Sequence, residues 1–413
     1  MFATIAVHEM QKYIKTRKFM IGFVVILGLV VLSTVINLRD YRVRLHDYQE
    51  ALLLPGMDGD VFRPPQLLSV FASGRDAEFG TMTEVGSGRI SIDTTGYAGQ
   101  SFWKGRPLAA GLSTFDLAFL VKTVLSLIVI FLAFDAIAGE KEAGTLKQTL
   151  ANDVPRVSVI IGKMLGGFAV VLVSLAVASA VSLLIIAGDR SIMPDAGDWI
   201  RMLGMFGMSA LYLGVVFMVS VMISVMVNRP STAIMMLLQL WLLFTFIYPN
   251  VSVVLARKYY HVPTQSEYYD RQRAAVEQLS YETPEEQAEA TILVYQLDLE
   301  YQGAYTRQAE VARNLAIFSP AVLYDDAMIR LAKTGMAEYE KFLNDLLPYY
   351  RILNDTGAFA KQDEGIEYPA FVHTPESLRT SAAAVFPNVL ILFLFGTVSF
   401  VLTHALFLRK DVR

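Results

Sequence analysis

One short charged segment concentrates the residues in this sequence that could act on a partner. Glu140 and Glu142 flank a lysine, and Gly144 follows them as a residue that readily ends or redirects a helix. Leu146 and Leu150 are four residues apart and would share one face of a short helix. The chemistry that such a helix offers is electrostatic contact with a neighbouring surface. The pattern alone fits an ordinary amphipathic loop at least as well.

Other patterns that would carry chemistry are incomplete. His8-Glu9 has the first two residues of a zincin motif, but Lys12 stands where the second histidine is needed, so the zinc hypothesis fails. Gly162-Lys163 lacks the upstream glycine of a phosphate loop. The chain is therefore not expected to hydrolyse ATP, or to be an enzyme, by itself. Its widely spaced histidines give no metal motif, and we expect no cofactor or metal in this chain.

Composition places the chain among membrane proteins. Of its 413 residues, 54% are hydrophobic and 18% are charged, against about 25% charged in a soluble domain. The mean hydropathy is +0.44. The absence of cysteine excludes a disulfide framework and thiolate metal sites. A net charge of −4 and a pI near 5.8, with no basic tract, argue against a nucleic-acid partner.

Six apolar runs are long enough to cross a bilayer, which takes about 20 residues in a helix. The first run is interpreted as a retained anchor rather than a signal peptide, because a long polar segment precedes it and no small-residue cleavage site follows. The predicted transmembrane segments are 19–38, 116–138, 163–187, 202–227, 231–255 and 384–408.

The charges of the segments between these spans predict the orientation of the chain. Segments 1–18, 139–163, 228–230 and 409–413 carry net charges of +3, +1, +1 and +2, whereas segments 39–115, 188–201 and 256–383 carry −1, −1 and −8. The positive-inside rule therefore places both termini in the cytoplasm. Residues 1–18 fit either an amphipathic helix on the membrane surface or a basic flank that only fixes the topology.

The two large outer segments differ in pattern. Thr283-Pro284 with Glu286 forms a capping box that begins a long helix, and Ser319-Pro320 begins another that we expect to run towards Arg351. The turn-rich segment 55–111, within the outer segment 39–115, has no helical periodicity and leaves room for short strands, such as one at 89–92. The predicted fold class is an all-α polytopic membrane protein with a mainly helical outer domain and a small mixed segment; residues 188–201 form a further outer loop.

The charged segment and the residues after it resemble the coupling-helix signature of ABC-2 type transporter permeases. The residues that match are Glu140, Glu142, Gly144, Thr145, Leu146, Pro155, Arg156 and Lys163. In that family the helix sits in a cleft of a separate ATPase subunit and transmits its closure. The resemblance implies an ABC ATPase partner that binds ATP and Mg, and a second permease copy or a paralogue.

The outer segments resemble a narrower bacterial subgroup of the same family. Residues 67–74 and 318–321 are similar to ABC-2 permeases grouped with multi-copper-enzyme maturation systems. This resemblance implies the bacterial inner membrane. It does not name a substrate.

Two functions of the same machine stay open at this point. One is export through the membrane, for which Gln239 and Asp135 are polar residues that could line a conduit or bond between helices. The other is mechanotransmission, in which ATP moves the outer domain to extract a lipid or lipoprotein or to act on a partner protein. A membrane-anchored enzyme is not supported by any catalytic motif. The acidic outer domain either recruits a cationic cargo or is simply solvated.

Overall fold

The structure is a computed structural model of the chain. It describes residues 2–52, 61–74, 76, 82–86, 89–91, 115–146, 148, 155–189, 192–277, 279, 283–355 and 371–409.

Helices form nearly all of the described structure. In chain order they are α1 (Phe2–Ile14), α2 (Arg17–Ala51), α3 (Leu117–Leu120 continuing through Val121–Leu125 into Ser126–Ala133), α4 (Ala138–Glu142), α5 (Arg156–Ala187), α6 (Ala196–Met226), α7 (Pro230–Leu242 continuing through Leu243–Ile247 into Tyr248–Tyr259), α8 (Gln265–Val276), α9 (Pro284–Leu315), α10 (Pro320–Ala332), α11 (Met336–Asp355) and α12 (Leu378–Arg409).

Six of the described helical segments have the length and apolar character of membrane spans. They are α2, α3 with α4, α5, α6, α7 and α12. The predicted fold class, an all-α polytopic membrane protein with six spans, is therefore confirmed. The cytoplasmic and extracytoplasmic boundaries drawn from the sequence stay predictions.

Several helices extend beyond the predicted spans. The first predicted span ends at 38, but the helix that contains it, α2, continues to Ala51. Contacts with residues outside the helix hold its polar end. Arg44 pairs with Asp40 one turn earlier and with the buried Asp76. The helix that contains the fourth predicted span begins at Ala196, before the predicted start of the span at 202. Asp195 and Asp198 form a capping box there.

Two spans include a single π-helical turn. Val121–Leu125 interrupts α3, and Leu243–Ile247 interrupts α7. Such turns place one extra residue in the helix and are frequent at functional positions. The two turns lie close together, because Trp241 of α7 donates its indole N–H to Ser126 at the end of the first π turn, with Nε1 to Oγ at 2.9 Å.

The helix expected from Ser319-Pro320 to Arg351 is instead two helices, which corrects that prediction. Lys333 adopts a left-handed conformation with φ of 58° and ends α10, and α11 begins at Met336. The face of α10 that includes Tyr324 and Met328 is fully buried among the spans. Lys122 of α3 pairs with Asp325 of α10 at 2.8 Å.

Three short strands form an antiparallel sheet, β1 (Val61–Phe62), β2 (Met82–Gly86) and β3 (Arg89–Ser91), with β2 in the middle. The strand expected near Arg89 is confirmed as β3. The capping box of Thr283 and Glu286 is also confirmed at the start of α9.

The spans pack around α6, which contacts α3, α5 and α12. The share of residues buried inside the chain falls from 61% for α6 to 17% for α7. Successive spans run in opposite directions, so the segments that connect them lie alternately at the two ends of the helix bundle. We call the end that holds α1, α4 and the turn between α6 and α7 the coupling end, and the end that holds α8–α11 the far end.

Candidate coupling site

The predicted coupling segment begins as a single helical turn at the coupling end. After α3 ends, α4 occupies Ala138–Glu142, and Gly144 then adopts φ of 73°, a conformation that glycine reaches without strain. Helical backbone resumes at Thr145. Leu146 is 2% exposed, so this second turn is anchored by an apolar side chain. Leu150 lies outside the described residues.

Glu140 faces inward, towards basic side chains of two other helices. Its Oε1 lies 2.6 Å from Nζ of Lys163, and the same ammonium lies 2.7 Å from Oε1 of Glu9 in α1. Lys12 adds a fourth charge, with its Nζ 3.2 Å from the same Glu140 oxygen. Lys163 thus lies between two carboxylates and joins the first helix, the coupling segment and the third span. We call Glu9, Glu140 and Lys163 the coupling-end triad.

Burial makes this triad sensitive to substitution. The side chains of Lys163, Glu9 and Glu140 are 7%, 10% and 17% exposed. The second oxygen of Glu140, Oε2, is buried and has no hydrogen-bond partner among the described residues. Buried charges that lose their partner cost about 3–5 kcal/mol, whereas an exposed pair contributes little.

The lysine between the two glutamates fastens the segment to the fourth span. Nζ of Lys141 donates to the carbonyl oxygens of Val225 and, at 2.9 Å, Val227, at the end of α6. The hydroxyl of Ser224 accepts the backbone N–H groups of Ile137 at 3.1 Å and Ala138 at 2.9 Å. The last carbonyls of a helix have no partner inside it, so a cation there is favourable.

Close packing of small residues fixes α1 against the third span. A Cβ atom added at Gly162 would lie 2.6 Å from Ile5, and one at Gly166 would overlap the carbonyl oxygen of Ala6. Only glycine permits this approach of the two helices. The glycines therefore bring Glu9 within reach of Lys163.

The remaining predicted residues have different surroundings. Glu142, Gly144 and Thr145 are exposed, as is Pro155 at the start of α5, and the side chain of Arg156 lies outside the described residues. Asp135, near the end of the second predicted span, pairs with Lys18 of α2 at 3.0 Å, and its place beside a conduit stays a prediction.

Gln239 lies on the least covered span. It is exposed, and its amide has no hydrogen-bond partner in the described part of the chain. Large apolar side chains around it, such as Met235 at 63%, are also exposed.

Sequence reasoning missed three participants at the coupling end. Glu9 was weighed only as the glutamate of an incomplete zincin motif, and Lys141 and Ser224 were given no role. One signal was present for Glu9, since it stands three residues before Lys12 on a helix with a basic flank. Nothing in the spacing indicated that Ser224 would meet Ile137, 87 residues away.

A second joint connects spans to the outer helices at the far end. Arg201 is 2% exposed and donates to Oγ of Ser381 at 2.8 Å, to the carbonyl oxygen of Glu376 at 2.8 Å and to that of Leu331 at 3.3 Å. The N–H of Glu376 in turn donates to Oε2 of Glu338 at 3.0 Å. We call this arrangement the far-end joint. It links the fourth and sixth spans to α10 and α11.

His373 closes the far-end joint between two carboxylates. Its Nε2 lies 3.2 Å from Glu338 and its Nδ1 2.8 Å from Asp345. These bonds raise the pKa of His373 above its usual 6.5, the bond to Glu338 most, against the effect of burial. Burial alone would raise the pKa of Glu338, but hydrogen bonds from His373 and the Glu376 N–H hold it below the usual 4.5. A protonated imidazolium can donate to both carboxylates.

Comparison with known proteins gives one family and two similar permeases. Residues 3–412 match the family described as "ABC-2 family transporter protein". "Probable ABC transporter permease protein NosY" of Stutzerimonas stutzeri is 31% identical over 145 residues, 34% of this chain and 51% of the relative. The protein of that name from Pseudomonas aeruginosa is 34% identical over 138 residues, 32% of this chain and 48% of the relative. The chain spans about half the length of the curated relatives it matches.

Proposed function

Because the chain belongs to the ABC-2 family of transporter proteins, we propose that it is the membrane subunit of an exporter driven by a separate ATPase subunit. The substrate is unidentified. ATP and Mg are bound by that ATPase, and this chain supplies no catalytic residue or cofactor site.

The observation that carries this proposal is that some residues of the coupling segment face the chain's own helices and others face outward. Glu140 and Lys141 face inward and join the segment to α1, α5 and α6. Glu142, Gly144 and Thr145 face outward. A surface that an ATPase can push is thereby connected to several spans at once, so a displacement of the segment reaches the membrane region.

We propose that the orientation follows the charges. The coupling end carries the basic residues of segment 1–18, and the sequence of segment 409–413 is also basic, which favours a cytoplasmic location for both termini. The bacterial relatives favour the inner membrane of a bacterium.

A second permease copy, or a paralogue, would cover the fifth span. An unpaired amide in hydrocarbon is costly, and Gln239 lies on a span of which only 17% is buried. A partner helix would satisfy this amide across the interface. In an assembled exporter, the same residue would then lie beside the path between the two subunits.

The second candidate function is mechanotransmission, and the far-end joint favours it. Arg201, Glu376 and Glu338 form a continuous chain of hydrogen bonds from the fourth and sixth spans to α11. Movement of these spans would move the outer helices, which could extract or remodel a lipid, lipoprotein or partner protein without a conduit.

Replacement of Glu142 tests ATPase coupling. The tagged chain is purified from its native membrane together with the ATPase that accompanies it, and turnover is measured in nanodiscs. Glu142→Lys should lower ATPase recovery or turnover at least fivefold, because it reverses an outward charge and breaks none of the described internal bonds. The control is Glu50→Lys at the far end, where the glutamate side chain is 65% exposed. Unchanged recovery and turnover in Glu142→Lys would refute the proposal.

A further inference from the structure

A cavity opens inside the membrane region, away from both joints. It has a volume of about 250 Å³ and lies between α3, α6, α7 and α12, under the first residues of α10. Its lining includes Tyr212, Val219, Trp241, Thr245, Pro320 and Ser399. Along α6 the lining extends from Tyr212 to Met222, a rise of roughly 15 Å at 1.5 Å per residue.

The mouth of the cavity faces sideways, between the fifth and sixth spans. Both α7 and α12 pack on α6, and they make no comparable contact with each other. At the mouth, Val398 and Leu402 of α12 are 48% and 45% exposed. The space is therefore continuous with the lipid that surrounds the spans.

Three polar groups of the cavity wall, those of Trp241, Tyr212 and Ser220, are already engaged within the chain. Trp241 donates to Ser126, the hydroxyl of Tyr212 donates to the carbonyl of Lys122 at 3.1 Å, and Ser220 donates to the carbonyl of Val216 at 2.7 Å. The rest of the lining is almost entirely aliphatic or aromatic. A ligand here gains contact area and no new hydrogen bond from these groups, so the site selects hydrocarbon.

The apolar cavity is unfavourable for water, and it is also unfavourable for the cavity to remain empty. An apolar cavity of about 150 Å³ in a protein stays dry and takes up apolar guests, and unfilled space forfeits the dispersion contacts of its walls. Because the cavity opens into a bilayer, acyl chains are present at its mouth at very high concentration. The length and the apolar lining match one such chain.

We propose that this cavity binds one acyl chain of a membrane glycerophospholipid, which enters between the fifth and sixth spans. The chain lies along α6, with Trp241 and Val219 in contact with it. The site is independent of ATPase binding, so it stands or falls separately from the proposed function.

Fluorescence quenching by brominated lipid tests the site directly. Trp103→Phe and Trp199→Phe leave Trp241 as the single tryptophan, and the chain is placed in nanodiscs of phosphatidylcholine with or without dibrominated acyl chains. Bound brominated chain should quench at least half of the Trp241 emission. Emission that is unchanged by bromination would overturn the proposal.

Filling the cavity separates bound lipid from bulk lipid. Val219→Phe in the single-tryptophan background should reduce the quenching at least twofold, because the new ring occupies the space of the acyl chain. Val401→Phe is the matched control on a residue that is 55% exposed and outside the lining, and it should leave the quenching unchanged. If Val219→Phe does not fold, Ser399→Leu narrows the same cavity from the sixth span. Full quenching in a folded, filled variant would mean that only bulk lipid reaches Trp241, against the proposal.

Discussion

The two ends of the membrane region are held together by different chemistry. At the coupling end a lysine joins two carboxylates, so Lys163, Glu9 and Glu140 depend on one another as ions. At the far end Arg201 bonds two carbonyl oxygens and a hydroxyl, and no carboxylate among the described residues pairs with it. Loss of one member of the triad leaves a buried charge without its partner, whereas Arg201 spreads its bonds over neutral acceptors. The helices at the coupling end are thus joined by ion pairs, and Arg201 joins those at the far end by hydrogen bonds to neutral acceptors.

Removal of the central lysine is expected to have the largest effect. Lys163→Met leaves Glu9 and Glu140 buried without their cation and should destabilise the chain by about 3–5 kcal/mol. Thermal unfolding in detergent measures this. Lys12→Met is the control, because Lys12 contacts the same Glu140 oxygen from a side chain that is 56% exposed, and its loss should cost less than about 1 kcal/mol. Equal destabilisation by both variants would contradict a buried triad.

Removal of the far-end arginine should have a somewhat smaller effect. Arg201→Met leaves three acceptors unpaired and should cost roughly 2–3 kcal/mol. Hydrogen exchange should rise in the segment 371–377, while recovery of the ATPase subunit stays normal. Arg379→Met, on an exposed arginine nearby, is the control. If exchange rises at the coupling end instead, the far-end joint does not act as described.

Helix spacing at the coupling end gives a third test. Gly166→Ala places a methyl group against the backbone of α1 and should destabilise by about 1–2 kcal/mol. Gly28→Ala, in a span position with nothing within 4 Å, should be neutral or stabilise by up to about 1 kcal/mol. Melting temperatures of the two variants should therefore shift in opposite directions or by clearly different amounts. Matching shifts would show that α1 is not packed closely on the third span.

The pH dependence of the far end should be the smallest effect. The raised pKa of His373 gives stability that is complete below its ordinary value of 6.5 and is lost as the pH rises through the folded value. The lowered pKa of Glu338 gives stability above 4.5 that is lost as the pH falls through its folded value. Exchange protection at 371–377 should therefore be highest near pH 5–6 and decline towards pH 8. His373→Gln should flatten that decline by less than about 1 kcal/mol; an unaltered profile would exclude His373 as its cause.

Much of the architecture follows from local sequence, as particular elements illustrate. A bilayer demands long apolar helices, so six runs predicted six spans. Helices α8 and α9 both begin at a Thr-x-x-Glu sequence, and each capping box is formed within these four residues. The match of Glu140 to Lys163 with a family signature likewise required only order and spacing.

The contacts that give those residues their surroundings depend on which helix faces meet. Lys163 finds Glu9 across 154 residues of sequence, and Arg201, expected in an outer loop, is buried because α10 and the start of α12 close over it. Lys333 divides a predicted helix because α10 packs among the spans while α11 packs against α9 at the far end. The sequence by itself determined the number of spans, the caps and the charged segment, since these arise from solvent and from near neighbours. Only the tertiary structure decided that Glu140 faces inward and Glu142 outward, because pairing across distant helices depends on their relative rotation, which no local pattern records.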